Sequence, residues 1–276
     1  MTAQPSTLGA LALSVLETAD ATVKANASLV AAAQWRAGGV PMRLDRPLPA
    51  RPARPERPEL LAPAKMPKRK KAGSLAGRIA LLHALAHIEL NAIDLAWDMA
   101  ARFLDQDVPT AFVDDWITVG ADEAKHHLLL ADRLAAFGSY YGALPAHDGL
   151  WQASMNTAQD LAARLAVVPM VLEARGLDVT PAMIAGARQV GDEESAQVLQ
   201  IIHDDEISHV AFGRQWFGWV CEQRGVSDAG VHWQALVRQF FDGPLRPPFN
   251  VPSRDRAAFE YDWYAPLASD LERIAP

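Results

Sequence analysis

Two short segments of the chain place a glutamate and a histidine three residues apart. The segment DEAKHH holds Glu123 and His126. The segment HDDEISHVAFG holds Glu206 and His209. On a helix this spacing puts both side chains on one face, one turn apart. Carboxylate oxygens and imidazole nitrogens are common metal ligands, so each pair is a candidate part of a metal site.

Two further glutamates stand alone in apolar, helix-like stretches. Glu89 lies in HIELNAIDLAWD, Glu173 lies in VPMVLEARGLDVTP, and each precedes a Glu-x-x-His pair by about 33 residues. That interval fits one long helix, a short turn and half of the next helix. The order Glu, Glu-x-x-His, Glu, Glu-x-x-His is the ligand set of a dinuclear carboxylate site in a four-helix bundle. The predicted metal ligands are Glu89, Glu123, His126, Glu173, Glu206 and His209.

Three other polar residues are predicted to stand close behind the ligands. Asp122 and Asp205 each precede the glutamate of a Glu-x-x-His pair. In a bundle these carboxylates can accept the free ring N–H of the histidine on the opposite helix; the alternative is that they are solvated residues of a polar turn. His203 lies one turn before Glu206 and is predicted to lie near the site without binding the metal.

The composition predicts an all-α protein. Half of the 276 residues are apolar, strand signals are scarce, and Ala and Leu recur at helical spacing. The net charge of −7 is unevenly distributed: Pro41–Lys71 holds ten basic and three acidic residues, which leaves 16 basic and 30 acidic residues elsewhere. The basic strip is therefore predicted to lie against the acidic remainder or to meet an anionic partner.

The chain is predicted to have three regions. Residues 1–72 form an N-terminal helix over Thr7–Arg36 and an extended, basic arm with eight prolines in Pro41–Pro67. Residues 73–242 form the helical bundle with one additional helix, and residues 243–276 form a tail. The bundle helices are predicted over Ser74–Leu104, Pro109–Phe137, Leu150–Arg175 and Asp192–Gln223, and the additional helix over Asp228–Phe241.

Several local signals refine this layout. The long crossover is predicted over Gly138–Gly149, and Pro169 is predicted to kink the third helix one turn before Glu173. Gly176 is predicted to end that helix. The sequence further predicts a helix beginning at Pro181, an extended tail over Pro244–Pro252, a final helix over Leu267–Ile274, and surface or second-layer positions for His83 and His87.

The cellular compartment is predicted from what the sequence contains. A single cysteine, Cys221, excludes an intrachain disulfide and favours a reducing compartment. No apolar run of about 18 residues is evident, and Glu17 and Asp20 interrupt the pattern that a signal peptide requires. The expectation is a cytoplasmic protein without a membrane span.

The motifs resemble those of the ferritin-like superfamily. The segments HIELNAIDLAWD, DEAKHH, GALPAHDGLW, VPMVLEARGLDVTP and HDDEISHVAFG are similar to those of an uncharacterised bacterial ferritin-like family, which is related to the di-iron hydroxylases of transfer RNA. The resemblance implies a ferritin-like four-helix bundle with a long crossover, two iron ions and O₂ as co-substrate. Manganese or a mixed Mn/Fe pair also suits an oxygen-rich site. His203-Asp204 departs from the family's pattern, in which an apolar or basic residue is expected at this place.

Several functions are compatible with this resemblance. We expect an O₂-dependent oxidase or hydroxylase of a small organic substrate, supplied with electrons by an external donor. The alternatives are a tRNA-modifying hydroxylase that binds phosphates through Lys68, Arg69, Lys70 and Lys71, and a ferroxidase without an organic substrate. A metal-stabilised binding protein without catalytic activity also remains open. A radical-generating subunit is disfavoured, because Leu130 occupies the position of the expected tyrosine. The oligomeric state is not predicted.

Overall fold

Helices make up most of the described chain. The computed structural model describes residues 6–67 and 73–268. Among these residues no β-strand occurs, and an isolated parallel bridge pairs Leu60 with Ala146. The predicted all-α class is therefore confirmed. The chain divides between Trp151 and Gln152 into two compact units, called here the first and the second unit.

The first unit contains two short N-terminal helices and a long helical hairpin. The hairpin packs its two helices along each other, and α2 packs against the second of them. The helices are α1 (Leu8–Leu16), α2 (Ala21–Arg36), α3 (Leu75–Arg102) and α4 (Thr110–Ala136). The short helix α5 (Gly149–Asn156) begins in the first unit and continues past its last residue, Trp151.

The N-terminal helix predicted over Thr7–Arg36 is wrong in one respect, because it is two helices. The Asp20 side chain accepts a hydrogen bond from the Val23 backbone N–H at 2.9 Å and so caps the start of α2. A residue used as an N-cap has extended backbone angles, which breaks the helix before it. Gly38 and Gly39, at φ of 84° and 78°, follow the end of α2.

The two long helices of the first unit agree closely with the sequence prediction. Ser74 caps α3 by accepting a hydrogen bond from the Gly77 N–H at 3.1 Å. Pro109 is the N-cap of α4 instead of its first helical residue. Gly138, at φ of 69°, follows the end of α4, where a left-handed residue closes a helix. The inner face of α4 is buried throughout: Trp116, Val119, Glu123, His126 and Leu130.

The proline-rich arm docks on the helices of the first unit. The backbone N–H groups of Leu8 and Gly9 donate to the carbonyls of Pro41 and Arg43. Further along, the Ala53 N–H donates to Leu16 O at 2.7 Å. The arm therefore supplies partners that the exposed backbone of α1 would otherwise take from water.

A buried cluster of charges ties the arm to the helices. Lys24 of α2 and Asp94 of α3 are both fully buried, with Lys24 Nζ 2.5 Å from Asp94 Oδ1. Arg54 of the arm reaches the other oxygen of Asp94 at 2.7 Å and Asn91 Oδ1 at 2.6 Å. Lys24 also donates to Ala53 O at 3.0 Å. Two cations share one buried carboxylate, which links arm, α2 and α3.

The second unit contains the helices that carry the other three predicted ligands. α6 is followed without a break by a π-helical segment and then by α7, which packs along α8. Its elements are α6 (Leu161–Val167), the π segment (Val168–Glu173), α7 (Ala174–Gln189), α8 (Glu193–Gln223), α9 (Ala229–Phe240), α10 (Val251–Arg256) and α11 (Tyr261–Ala268).

The third bundle helix, predicted over Leu150–Arg175, is the main error of the sequence prediction. The chain interrupts it before α6, where the Asp160 side chain accepts from the Ala162 N–H at 3.0 Å and caps a new helix. The departure from α geometry begins at Val168, next to Pro169, where a kink was predicted. Gly176 does not end the helix, since α7 continues to Gln189.

Pro181 lies inside α7 instead of at the start of a short helix. Proline has no N–H, so the carbonyl four residues earlier loses its helical donor. That carbonyl belongs to Leu177, and Asn250 Nδ2 donates to it at 3.0 Å. A residue from the C-terminal region thus replaces the missing hydrogen bond, and the helix passes through the proline.

The last two predicted helices of the bundle region are confirmed within one residue at each end. Asp192 and Asp228 cap α8 and α9 by accepting from Ser195 N and Val231 N. The tail over Pro244–Pro252 is irregular only as far as Asn250, because α10 begins at Val251. The final helix begins at Tyr261, earlier than predicted, and residues 269–276 lie outside the described range.

Helix α3 is apolar enough in composition to cross a membrane. It is 28 residues long, and an 18-residue window has a mean hydropathy of 1.4. In the folded protein 67% of that window is buried, which is typical of a helix in a protein core. The window is apolar on average and is not an uninterrupted apolar run, because it contains Glu89.

Candidate metal centre

Three predicted ligands come together in the first unit. Glu89 lies midway along α3, and Glu123 and His126 lie one turn apart on α4. All three are buried, with exposed fractions of 3%, 0% and 0%. We call these residues the first cluster. Their burial follows from the apolar stripe that each helix turns toward the other.

The ligand atoms of the first cluster converge on one point. His126 Nδ1 lies 3.4 Å from Glu89 Oε2 and 3.4 Å from Glu123 Oε2. One ligand atom from each residue lies within 4.8 Å of the other two. Metal–ligand bonds are close to 2 Å, so these separations are those of ligands around a single ion.

Glu89 shows the electrostatic cost of this arrangement. Burial and the neighbouring Glu123 carboxylate raise the pKa of Glu89 from 4.5 to about 8. Two carboxylates buried side by side repel each other and have lost their hydration. A proton or a cation must therefore compensate them.

The other three predicted ligands come together in the second unit. Glu173 is the last residue of the π segment, and Glu206 and His209 lie one turn apart on α8. One ligand atom from each lies within 4.8 Å of the others, and His209 Nδ1 is 3.7 Å from Glu206 Oε2. His209 and Glu206 are buried and Glu173 is half-buried. We call these residues the second cluster.

Both clusters fit a divalent transition metal. Each supplies two carboxylates and one imidazole, a donor set that suits iron or manganese. In each cluster the histidine presents Nδ1 to a carboxylate of the same cluster. A divalent cation would offset the charge that the carboxylates carry in an apolar interior. These acidic and histidine groups can therefore hold a metal.

Comparison with known proteins places the chain in a family. The family described as "Protein of unknown function (DUF455)" matches residues 17–265. The chain belongs to this family. An uncharacterized protein of Haemophilus influenzae is 40% identical over 221 residues, which cover 77% of this chain and 76% of that protein. No solved structure matches. Membership of an uncharacterised family is confirmed, and the ferritin-like relationship remains a prediction.

Asp122, Asp205 and His203 are the residues predicted to stand behind the ligands. Asp122 and Asp205 are half-buried, on α4 and α8. Their role as acceptors for the histidine ring N–H groups remains a prediction. His203 is buried, and its Nε2 lies 3.2 Å from Ser253 Oγ of α10. Burial lowers the pKa of His203.

His83 and His87 are buried and not on the surface, with exposed fractions of 1% and 7%. His83 Nε2 accepts a hydrogen bond from the Gly142 N–H at 2.9 Å. His87 Nε2 lies 3.0 Å from His147 O. Burial lowers the pKa of both histidines to about 4. They are neutral at pH 7 and hold the crossover on α3.

Tyr141 is the residue of the crossover whose packing sequence reasoning missed. Its hydroxyl lies 2.8 Å from His87 Nδ1, and its ring stacks on His83 with centroids 5.4 Å apart. It also meets the His127 ring edge-on at 5.2 Å. Tyr141 therefore packs on the face of α3 that carries His83 and His87, which is not the face that carries Glu89. The GALPAHDGLW segment beside it was the available signal.

A cavity of about 240 Å³ opens beside Tyr141 in the first unit. It is also lined by Asp20, Arg57, His127 and Ser139. Ligand pockets usually measure about 300–1,000 Å³. This cavity lies below that range and has room for water molecules or a very small molecule.

Proposed function

We propose that this chain is a dinuclear metal protein of the ferritin-like type. In this proposal the first and second clusters each bind one metal ion, and residues 73–242 form the four-helix bundle, flanked by residues 1–72 and 243–276. The supporting observation is the repetition: a lone Glu and a Glu-x-x-His pair converge within 4.8 Å in each unit. Chance could place buried acids together once, but it does not account for two clusters with the same residue types at the same spacing.

The proposed metals are two iron ions, with manganese as the alternative. When bound, such a pair supplies redox chemistry that reduces O₂ with electrons from an external donor. The residues of the chain hold the ions, exclude water with the buried faces of α3, α4 and α8, and fix the histidine rings. In this proposal Asp122 and Asp205 accept the ring N–H groups opposite to the metal-binding nitrogens.

We favour a small organic substrate over RNA. The described arginines of the arm are largely paired with acidic residues: Arg46 with Glu17, Arg51 with Asp148 and Arg54 with Asp94. Guanidinium groups already paired with carboxylates are poor ligands for a phosphate backbone. The cluster Lys68-Arg69-Lys70-Lys71 lies outside the described residues, so the tRNA alternative depends on those four residues.

The metal content of the reconstituted protein tests the proposal. Anaerobic loading with Fe(II) should give close to two iron ions per chain, and admission of O₂ should be followed by O₂ consumption. Glu123→Ala and Glu206→Ala, one from each cluster, should each lose at least one iron. Glu222→Ala is the matched control, because Glu222 is an exposed residue of α8 and should keep full loading.

Three outcomes separate the alternatives. Full iron loading in Glu123→Ala would refute the metal site. O₂ consumption that stops when all the iron is oxidised, even with an electron donor present, would indicate a ferroxidase. Tight tRNA binding that weakens steeply with salt, and is lost when the four basic residues at 68–71 are changed to Gln, would favour the RNA substrate.

A further inference from the structure

The position of Glu173 depends on the π segment that carries it. Glu173 is the last residue of this segment, which separates α6 from α7. A π turn has i→i+5 hydrogen bonds, is wider than an α turn, and is frequent at functional sites. The contacts between the π segment and its neighbour α8 therefore determine where the Glu173 carboxylate lies.

Gly213 of α8 lies directly against this segment. A Cβ atom at Gly213 would lie 2.5 Å from Pro169 Cβ, 2.6 Å from Pro169 Cγ and 3.4 Å from Met170 Cγ. Carbon atoms that are not bonded pack at about 3.5–4.0 Å. An alanine at position 213 therefore requires the two backbones to separate by about 1 Å. The proline ring cannot rotate away, because it is closed onto its own backbone nitrogen.

Gly213 shares a helix face with the ligands of the second cluster. Positions 206, 209 and 213 are spaced by three and four residues, which places them along one face of α8. A short connection joins α7 to α8, so the two run antiparallel. Gly213 contacts Pro169. Glu173 lies four residues after Pro169, and His209 lies four residues before Gly213. The contact and the cluster are one helical turn apart.

We propose that Gly213 is a positioning residue for the metal ligand Glu173. Because Gly213 has no side chain, the Pro169 ring can touch the α8 backbone. This contact sets the distance between the π segment and α8, and so the distance from Glu173 to Glu206 and His209. Metal–ligand distances are reproduced to about 0.2 Å in well-formed sites. A displacement of about 1 Å is therefore large enough to remove Glu173 from the ligand set. This inference rests on the proposed metal-binding function.

Titration with Co(II) tests the inference, because Co(II) reports its ligand geometry in the visible spectrum. Wild-type protein should bind two Co(II) ions per chain. Gly213→Ala should bind at least one of them ten- to a hundredfold more weakly, the range seen when residues behind metal ligands are changed, and its visible spectrum should change. Gly186→Ala is the matched control: it lies on α7 with open space around its Cβ position, and should match the wild type.

A second substitution distinguishes positioning from a general loss of structure. Pro169→Gly removes both proline atoms that lie within 3 Å of the new Cβ. The double variant Gly213→Ala/Pro169→Gly should therefore recover the affinity and the spectrum to within about threefold. Wild-type affinity in Gly213→Ala would overturn the inference, and so would a double variant that binds no better than Gly213→Ala. If Gly213→Ala does not fold, a folded, metal-binding double variant supports the inference and an unfolded one overturns it.

A measurement without metal separates this inference from the proposed function. In the metal-free protein, amide hydrogen exchange at residues 170–174 should be faster in Gly213→Ala than in wild type or Gly186→Ala. If wild type binds no Co(II), the proposed function fails, and the exchange rates still decide whether Gly213 holds the π segment. Unchanged exchange at these amides would overturn the positioning role.

Discussion

Glu89 connects metal binding in the first cluster to pH. Its pKa is raised from 4.5 to about 8 by burial and by the Glu123 carboxylate. In the metal-free protein at pH 7, this carboxyl group therefore carries a proton. A cation bound there would offset the burial and the repulsion that raise the pKa, so the carboxyl group would ionise when the metal enters.

We therefore predict that metal binding at pH 7 releases the Glu89 proton. The affinity for Mn(II) should rise about tenfold per pH unit between pH 6 and pH 8, if one proton is displaced, and should level off above pH 8. Calorimetry in buffers of different ionisation enthalpy measures the released protons directly. An affinity that stays flat from pH 6 to pH 8 would contradict the prediction.

His83 makes a second prediction at this scale. Its Nε2 accepts the Gly142 N–H, which requires a neutral ring, and burial lowers its pKa from 6.5 to about 4. Between these two values the unfolded chain binds a proton that the folded chain does not. This contribution to stability is complete above pH 6.5 and is lost as the pH falls toward 4.

The measurement is the melting temperature of wild type and His83→Asn between pH 4.5 and 7. Asparagine keeps a hydrogen-bond acceptor and does not titrate in this range, so the variant should lose less stability on acidification than wild type. Equal slopes for the two proteins would show that His83 does not contribute to acid sensitivity.

Individual site residues differ in how far the sequence reveals them. Glu123 and His126 are recognisable because a spacing of three on a helix is a local pattern. His83 and His87 are not, because their partners are Gly142 N and His147 O, about 60 residues away. The sequence shows that they leave the apolar stripe of α3, and only the fold shows that a loop covers them.

At the scale of elements, the C-terminal segment holds the start of α7. Arg254 of α10 is 3% exposed. Its Nε and Nη2 donate to the two oxygens of Asp178 at 2.9 and 2.7 Å, and Nη2 also lies 3.3 Å from Ala174 O. Ala174 directly follows Glu173, a proposed metal ligand, so this bidentate pair supports the junction between the π segment and α7.

We predict that Arg254→Met lowers the free energy of unfolding by about 1–3 kcal/mol, because the Asp178 carboxylate loses its bidentate partner and keeps only the Asn250 N–H at 2.9 Å and Arg175 at 3.5 Å. Urea denaturation measures this loss. Arg256→Met, two residues away and exposed, should change stability by less than about 0.5 kcal/mol. The double variant Asp178→Asn/Arg254→Met should recover part of the loss, and an equal loss in both Arg variants would refute the role of the pair.

The ends of helices could be predicted wherever the capping residue is local. Asp192 and Asp228 begin α8 and α9 as their sequence context indicates. The region from Leu150 to Pro181 could not be predicted in the same way. Pro181 is tolerated because Asn250, 73 residues from Leu177, supplies the missing donor. A local pattern contains no information about such a partner.

At the scale of the molecule, the basic arm is part of the first unit. The arm is basic and the helices are acidic, so the sequence predicted that the arm docks. It did not reveal which ion pairs between them are buried. Arg54 and Lys24 meet Asp94 in the interior, whereas Arg46 and Glu17 pair on the surface with both side chains about half exposed. The two kinds of pair should differ in their contribution to docking, because exposed pairs contribute about 0–1 kcal/mol.

Limited proteolysis of the native protein tests this difference. Proline follows four arginines of the arm, Arg46, Arg51, Arg54 and Arg57, so a protease of broad specificity is needed in place of trypsin. Arg54→Met should make residues 41–62 cleavable at least tenfold faster, and Arg46→Met should have little effect. Equally rapid cleavage of wild type would show that the arm is not held.

The shared partner of Lys24 and Arg54 also imposes an order on the synthesis of the chain. Both cations leave the ribosome before Asp94 is made, since the N-terminal part of a chain emerges first. Burying them without a counter-ion would cost several kcal/mol per ion. The nascent α1, α2 and arm therefore stay open until α3 has emerged, and the first unit closes around Asp94 as one cooperative event.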